Sequence, residues 1–195
     1  MTAQIPDYCI YKNEEYRIVA LSESMNFNPE KYGMKTDDDY INTACYRKYW
    51  CIYCIENKIF FLKDLNIKLE DDVNKPTFRG IHAIQSDKYD FENFTVYKNV
   101  NMPIKYNGRI VLGKDFLRRY YVHMGYQRAW SYETLLELIF ENGVLLDVID
   151  HSNEVKKIRE KIDEDKDFLK KLRLGNRFVE ESFSLDLKEK CWWFK

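Results

Sequence analysis

YINTACYRKYWCIYCIENKIFFLKDLNIKL, residues 40–69, is the stretch that decides the fold. β-Branched and aromatic side chains crowd residues 46–61, and they fit a pleated, half-buried surface better than a helix. The turn falls at Glu56-Asn57-Lys58, because Asn tolerates the positive φ of a tight turn and apolar runs flank it on both sides. The stretch therefore predicts the central hairpin of an antiparallel β-sheet.

Three further turns repeat this chemistry along the chain. Residues 8–21 alternate apolar and polar side chains around a turn near Asn13, which predicts a first hairpin. Asn107-Gly108 and Asn142-Gly143 each lie between apolar runs, and Asn-Gly in that setting is the strongest short-range hairpin signal. The β-rich part of the chain should therefore be a meander of successive hairpins.

Helical signals occur in two places. Asn28-Pro29 and Gly33 have the N-cap and C-cap chemistry of a short helical turn. Residues 152–174 predict one long helix, with Ser152 as N-cap and Gly175 as the stop. Its narrow apolar stripe, which favours docking on a sheet, consists of Val155, Ile158, Ile162, Leu169 and Leu172.

These patterns predict an α+β fold: mostly antiparallel sheet built from consecutive hairpins, with one long C-terminal helix packed on it. Residues 178–195 predict a last strand and an aromatic tail, whose Trp192, Trp193 and Phe194 either close the core or offer a sticky surface to a partner. We expect a single domain over residues 1–195, with its β-rich part at 8–150.

Composition excludes several classes of protein. The 31 basic and 32 acidic residues give a net charge of -1, which provides no global field for a phosphate backbone and disfavours nucleic-acid binding. No stretch is long and apolar enough for a membrane span, and the start MTAQIPDYC is unlike a signal peptide. The five cysteines are odd in number, which favours reduced thiols. We therefore predict a cytoplasmic protein, and the Lys, Asn, Ile and Tyr bias indicates an AT-rich bacterial genome.

Cys51 and Cys54 form a CxxC pair, and Cys45 precedes them. A zinc site needs a second pair, or two histidines, on tight turns, whereas this pair lies inside a predicted strand. A thioredoxin-like pair needs a following helix to lower a thiol pKa, and none is predicted here. We therefore interpret these cysteines as buried and structural, with no metal ligand and no cofactor.

A second cluster of chemistry-bearing residues lies around His123. The segment RRYYVHMGYQRAW, residues 118–130, mixes arginines with flat rings, which can stack on a base or hold a phosphate. Histidine can act as a general acid or base, and Cys45 with His123 would make a nucleophile pair if the fold brings them together. An ordinary amphipathic strand with a bulge at Gly125 explains the same pattern.

Both regions resemble a widespread family of uncharacterised bacterial proteins. The match covers roughly residues 40–150 and rests on TACYRKY at 43–49, which is similar to a TACWRGY-like strand of the family, and on YVHMGY at 121–126. Tyr46 and Lys48 depart from the family's usual Trp and Gly. The resemblance implies a shared fold and no activity, and it directs attention to five residues inside the matched motifs: Thr43, Cys45, Arg47, His123 and Tyr126.

Two functional hypotheses follow. The first is a non-catalytic module that binds another protein, by analogy an immunity-like or accessory protein, with exposed Tyr, Trp and Arg as anchors. The second is a small enzyme or ligand-binding domain whose pocket, around His123, Arg47 and Tyr126, accepts an anion. The sequence leaves open whether any reaction is catalysed.

Overall fold

The computed structural model describes residues 2–25, 27–70, 75–85, 94–165 and 182–191. Ten strands lie within these ranges: β1 (Tyr8–Tyr11), β2 (Glu14–Leu21), β3 (Tyr49–Glu56), β4 (Ile59–Ile67), β5 (Ile84–Gln85), β6 (Thr95–Tyr97), β7 (Met102–Pro103), β8 (Gly108–Phe116), β9 (Tyr132–Glu141) and β10 (Val144–Asp150). The α-helices are α1 (Ser152–Glu164) and the short α2 (Leu187–Lys190). Three 3-10 turns lie at Pro29–Tyr32, Arg118–Tyr120 and Ala129–Ser131.

Seven of the strands close into a ring. Their order is β10-β9-β8-β2-β1-β3-β4, and β4 meets β10 again where Ile59 pairs with Val144. The closing contact joins two hairpin tips, because the Phe60 N–H donates to the Gly143 carbonyl at 2.9 Å. The named strands pair antiparallel throughout, except that β1 runs parallel to β3. The predicted α+β class with mostly antiparallel pairing is confirmed.

Three of the four predicted hairpin turns are confirmed. Asn13, Asn57 and Asn142 each have the left-handed backbone that a tight turn requires, with φ of 63°, 50° and 49°. Each lies between two strands that pair antiparallel: β1 with β2, β3 with β4, and β9 with β10. Local turn chemistry thus decides these three connections.

The hairpin predicted at Asn107-Gly108 is wrong. β8 begins at Gly108 but pairs with β2 and β9, whereas the preceding β7 pairs with β4. The Asn107 side chain instead accepts a hydrogen bond from the Asn142 N–H at 2.7 Å. An Asn-Gly pair therefore supports a neighbouring turn here.

The central hairpin is also shorter than predicted, because residues 40–48 form turns ahead of β3.

The predicted short helical turn is confirmed as the 3-10 turn Pro29–Tyr32. The Asn28 side chain accepts a hydrogen bond from the Glu30 N–H at 2.9 Å, which caps the start. Gly33 ends the turn with φ of 77°, in the left-handed region.

The predicted C-terminal helix is shorter than expected. α1 begins at Ser152, but its N-cap is His151 and not the predicted Ser152, and it ends at Glu164, before the predicted end at 174. Residues 166–181, which contain Gly175, and the aromatic tail 192–195 lie outside the described residues. The last strand predicted within 178–195 is wrong for the described part, because a single bridge between Leu21 and Asp186 precedes α2.

Two cores lie on opposite faces of the ring. In β8, Ile110 and Leu112 point into the ring, and Val111 points out beneath α1. This alternation explains the uninterrupted apolar run, because both faces of the strand are covered. Aromatic side chains fill the interior of the strand ring, where Tyr53 stacks on Phe60 with 5.0 Å between their centroids. The outer core includes Val19, Trp130, Tyr132, Leu135, Val155 and Ile162.

Candidate functional site

A pocket of about 310 Å³ lies on the outer face of the ring, between the N-terminal segment and strands β1, β2, β8 and β9. Aromatic side chains dominate its walls, and Arg17 is its charged residue. It is lined by Ala3, Gln4, Ile5, Pro6, Tyr8, Arg17, Ile18, Phe116, Tyr121, Tyr126, Gln127 and Tyr132. Its volume is at the lower end of the range of small-molecule sites.

The N-terminal segment forms one wall because it is held from both sides. The Gln4 N–H donates to the Gly125 carbonyl at 2.9 Å, and the Ile5 N–H donates to the Ala44 carbonyl at 2.8 Å. The Gln4 side chain also donates to the Thr43 carbonyl at 2.7 Å. The two sequence motifs, residues 43–49 and 121–126, therefore lie on either side of this segment.

Arg17 is the pocket's distinctive group. It is half-buried on β2, its Cζ lies 5.3 Å from the Phe116 ring centroid, and the Tyr132 hydroxyl acts electrostatically on its guanidinium. In the described part of the chain it makes no ion pair. Burial lowers the pKa of Arg17, but Tyr132, Tyr8 and Glu15 outweigh it and raise that pKa, so the group stays charged.

The rings around Arg17 contact one another edge to face. The Phe116 centroid lies 5.4 Å from that of Tyr132 and 6.5 Å from that of Tyr121. The series continues to His123, whose ring centroid is 5.1 Å from that of Tyr121. Burial raises the pKa of Tyr132, with Arg17 opposing, so this phenol is neutral at physiological pH. The walls are thus apolar rings with neutral hydroxyl edges.

Arg47 is not available to the pocket. Its guanidinium binds both carboxylate oxygens of Asp7, each at 2.9 Å, and Asp7 is only 3% exposed. Asp7 also accepts a hydrogen bond from the Cys51 N–H at 2.8 Å. Burial lowers the pKa of Arg47, but Asp7 and Tyr126 more than offset this and raise it. The pair fixes the residue 43–49 motif to the start of β1.

The remaining predicted site residues lie in different environments. Tyr126 lines the pocket, and burial raises the pKa of its phenol against the opposing effect of Arg47. His123 is exposed on the far side of Tyr121. Thr43 is exposed and hydrogen-bonds to Thr2. Of the five predicted residues, the described structure places one, Tyr126, in the pocket wall.

Cys45 is buried against Trp50 and Phe94, and its thiol donates to the Tyr49 carbonyl at 3.6 Å. His123 is exposed, so the nucleophile pair drawn from the sequence would join two groups in different environments. All five cysteines lie among the described residues, are buried and form no disulfide. Burial raises the pKa of the Cys51 thiol well above its ordinary value. Within the described ranges, no group of three or more His, Cys, Asp or Glu residues could hold a metal ion.

Sequence reasoning missed Asp7, Arg17, Phe116 and Tyr132. Arg17 alternates with the inward-facing Tyr16 and Ile18 on β2, and the same pattern describes any solvent-facing arginine. The rings that cover it come from β8 and β9, a hundred residues farther along the chain. No local signal in the sequence joins them.

Comparisons with known proteins give no relative: no family model, curated protein or solved structure matches the chain. The resemblance to an uncharacterised bacterial family stays a prediction. Among the described residues, no helix combines the length and the apolar character needed to cross a membrane.

Proposed function

We propose that this chain is a binding domain whose pocket holds a small organic anion that carries a flat ring. One observation supports the proposal above all others. Arg17 lies half-buried in the pocket wall, above the Phe116 ring, and in the described part of the chain it makes no ion pair with a carboxylate.

A guanidinium in this position favours an anionic ligand. Removing a charge from water costs free energy unless a counter-charge and hydrogen bonds replace the water. The Tyr132 hydroxyl is a polar neighbour of Arg17, and a guanidinium has five N–H donors. A carboxylate matches the planar fork of these donors, as Asp7 does for Arg47.

The walls favour a flat ring on that anion. Phe116 already contacts both Tyr121 and Tyr132 edge to face, and a ligand ring could extend this packing. A volume of about 310 Å³ accommodates a single ring with a short acid chain. The lining residues contain no His, Cys, Asp or Glu, so we propose binding and not a reaction.

Calorimetric titration with 3-phenylpropionate tests the proposal. We expect wild-type protein to bind this acid, and Arg17→Met to weaken binding by about tenfold or more, since a hydrogen-bonded charge pair contributes about 1.5–3 kcal/mol. The neutral amide, 3-phenylpropanamide, should bind correspondingly worse. Arg118→Met is the matched control, because Arg118 is exposed and does not line the pocket. Equal affinity in wild type and Arg17→Met would contradict the proposal, and so would a wild type that binds nothing.

The protein-binding module, with its immunity-like or accessory role, stays a prediction. The pocket supports the second hypothesis from the sequence, an anion site that includes Tyr126, but with Arg17 in the place that the sequence assigned to Arg47.

A further inference from the structure

A second, shallower cleft continues the pocket along β2. This cleft measures about 230 Å³ and shares four lining residues with the pocket, so the two form one groove. The shared residues are Tyr8, Arg17, Phe116 and Tyr132. Arg17 therefore lies at the junction, with the aromatic pocket on one side and the shallower cleft on the other.

The lining of the shallower cleft contains two acidic residues, and one of them, Glu15, makes no ion pair in the described part of the chain. Its charged lining residues besides Arg17 are Glu15, Lys114 and Asp115. The Lys114 ammonium is paired at 2.8 Å with Glu14, which does not line the cleft, and lies 4.0 Å from the Asp115 carboxylate. The Glu15 side chain is exposed and makes no hydrogen bond or ion pair in the described part of the chain. Glu15 is therefore the carboxylate of this cleft that a cationic group on a ligand could pair with.

Strand geometry places the two opposite charges on one face. Glu15 and Arg17 are two residues apart on β2, so their side chains leave the sheet on the same side, with Cα atoms about 7 Å apart. Glu15 acts electrostatically on Arg17, since it is among the groups that raise the Arg17 pKa. A ligand with a carboxylate and an ammonium on one carbon fits between them.

We infer that the ligand is an aromatic α-amino acid, bound with its carboxylate on Arg17, its ring among Phe116, Tyr121 and Tyr132, and its ammonium facing Glu15. This inference rests on the proposed function and narrows it to one chemical class. The inferred ligand differs from a simple anion in one respect: it carries a cationic group beside its carboxylate.

Three probes separate the inference from the proposed function. 3-Phenylpropionate carries the acid alone, phenethylamine carries the amine alone, and L-phenylalanine carries both. We expect wild-type protein to bind L-phenylalanine about fivefold more tightly than 3-phenylpropionate, the upper size for one partly exposed ion pair. Glu15→Gln should abolish this preference and slightly strengthen 3-phenylpropionate binding, because it removes a negative charge that acts on Arg17. Glu141→Gln, at the exposed end of β9, should keep the preference.

The outcomes are distinct. If 3-phenylpropionate binds through Arg17 but L-phenylalanine binds no more tightly, the amino-acid inference is overturned and the proposed function stands. A preference for L-phenylalanine that survives Glu15→Gln also overturns the inference. If neither acid binds, or phenethylamine alone binds, both the inference and the proposed function fail.

Discussion

Two arginines lie close to the same N-terminal segment and serve different purposes. Arg47 holds Asp7 with two hydrogen bonds, and Asp7 in turn holds the backbone of β3 through Cys51. Arg17 on β2 has a ring beneath it, a phenol beside it and a pocket in front of it. A cation with a buried carboxylate partner supports the fold, whereas one that faces a pocket without such a partner is available for a ligand.

Removing Arg47 should give the largest effect. Arg47→Met leaves the Asp7 carboxylate buried without its cation, and we expect a loss of about 2–3 kcal/mol in the free energy of unfolding, less than for a fully buried pair because Arg47 is a third exposed. Urea unfolding measures this loss of stability. Adding Asp7→Asn to Arg47→Met should recover part of the loss, since the uncompensated charge disappears. A loss below about 0.5 kcal/mol would show that the pair does not support the fold.

Removing the Gln4 side chain should have an intermediate effect, because it links the two regions. Gln4 donates to the Thr43 carbonyl and accepts from the Tyr46 N–H, so Gln4→Ala should cost about 1–2 kcal/mol of stability. We also expect weaker 3-phenylpropionate binding, since Gln4 lines the pocket. Asn153→Ala is the control, because Asn153 is exposed on α1 and does not line the pocket. A Gln4→Ala protein with wild-type stability and binding would contradict this role of the N-terminal segment.

Removing Arg17 should have the smallest effect on stability. Arg17→Met keeps a side chain of similar length over the Phe116 ring and removes a half-buried charge, so we expect a change within about 0.5 kcal/mol in the same urea experiment. The loss of ligand binding should then occur without loss of fold. If Arg17→Met is as destabilising as Arg47→Met, the distinction between the two arginines is wrong.

The sequence predicts those parts of the fold that depend on residues close together in the chain. The turns at Asn13, Asn57 and Asn142 depend on residues that can adopt positive φ between apolar runs, and that information is local. The turn at Asn107-Gly108 has the same local pattern, yet β8 finds its partners in β2 and β9. Pairing between distant strands, and the ring closure it produces, could not be read from a turn motif.

The candidate site is less visible in the sequence for a related reason. The motif around Thr43 and the motif around Tyr126 stand out in the sequence, and the structure joins both to the N-terminal segment. Which arginine is neutralised depends on Asp7, a single polar residue before β1 with no pattern around it. The choice between Arg47 and Arg17 therefore requires the three-dimensional arrangement.

The most direct measurement follows the Nε–Hε NMR signals of Arg17 and Arg47 during a titration with 3-phenylpropionate, with Arg17→Met providing the assignment. The account predicts that the Arg17 signal moves and saturates, while the Arg47 signal keeps the position set by Asp7. Movement of the Arg47 signal alone, or of neither signal at saturating acid, would contradict it.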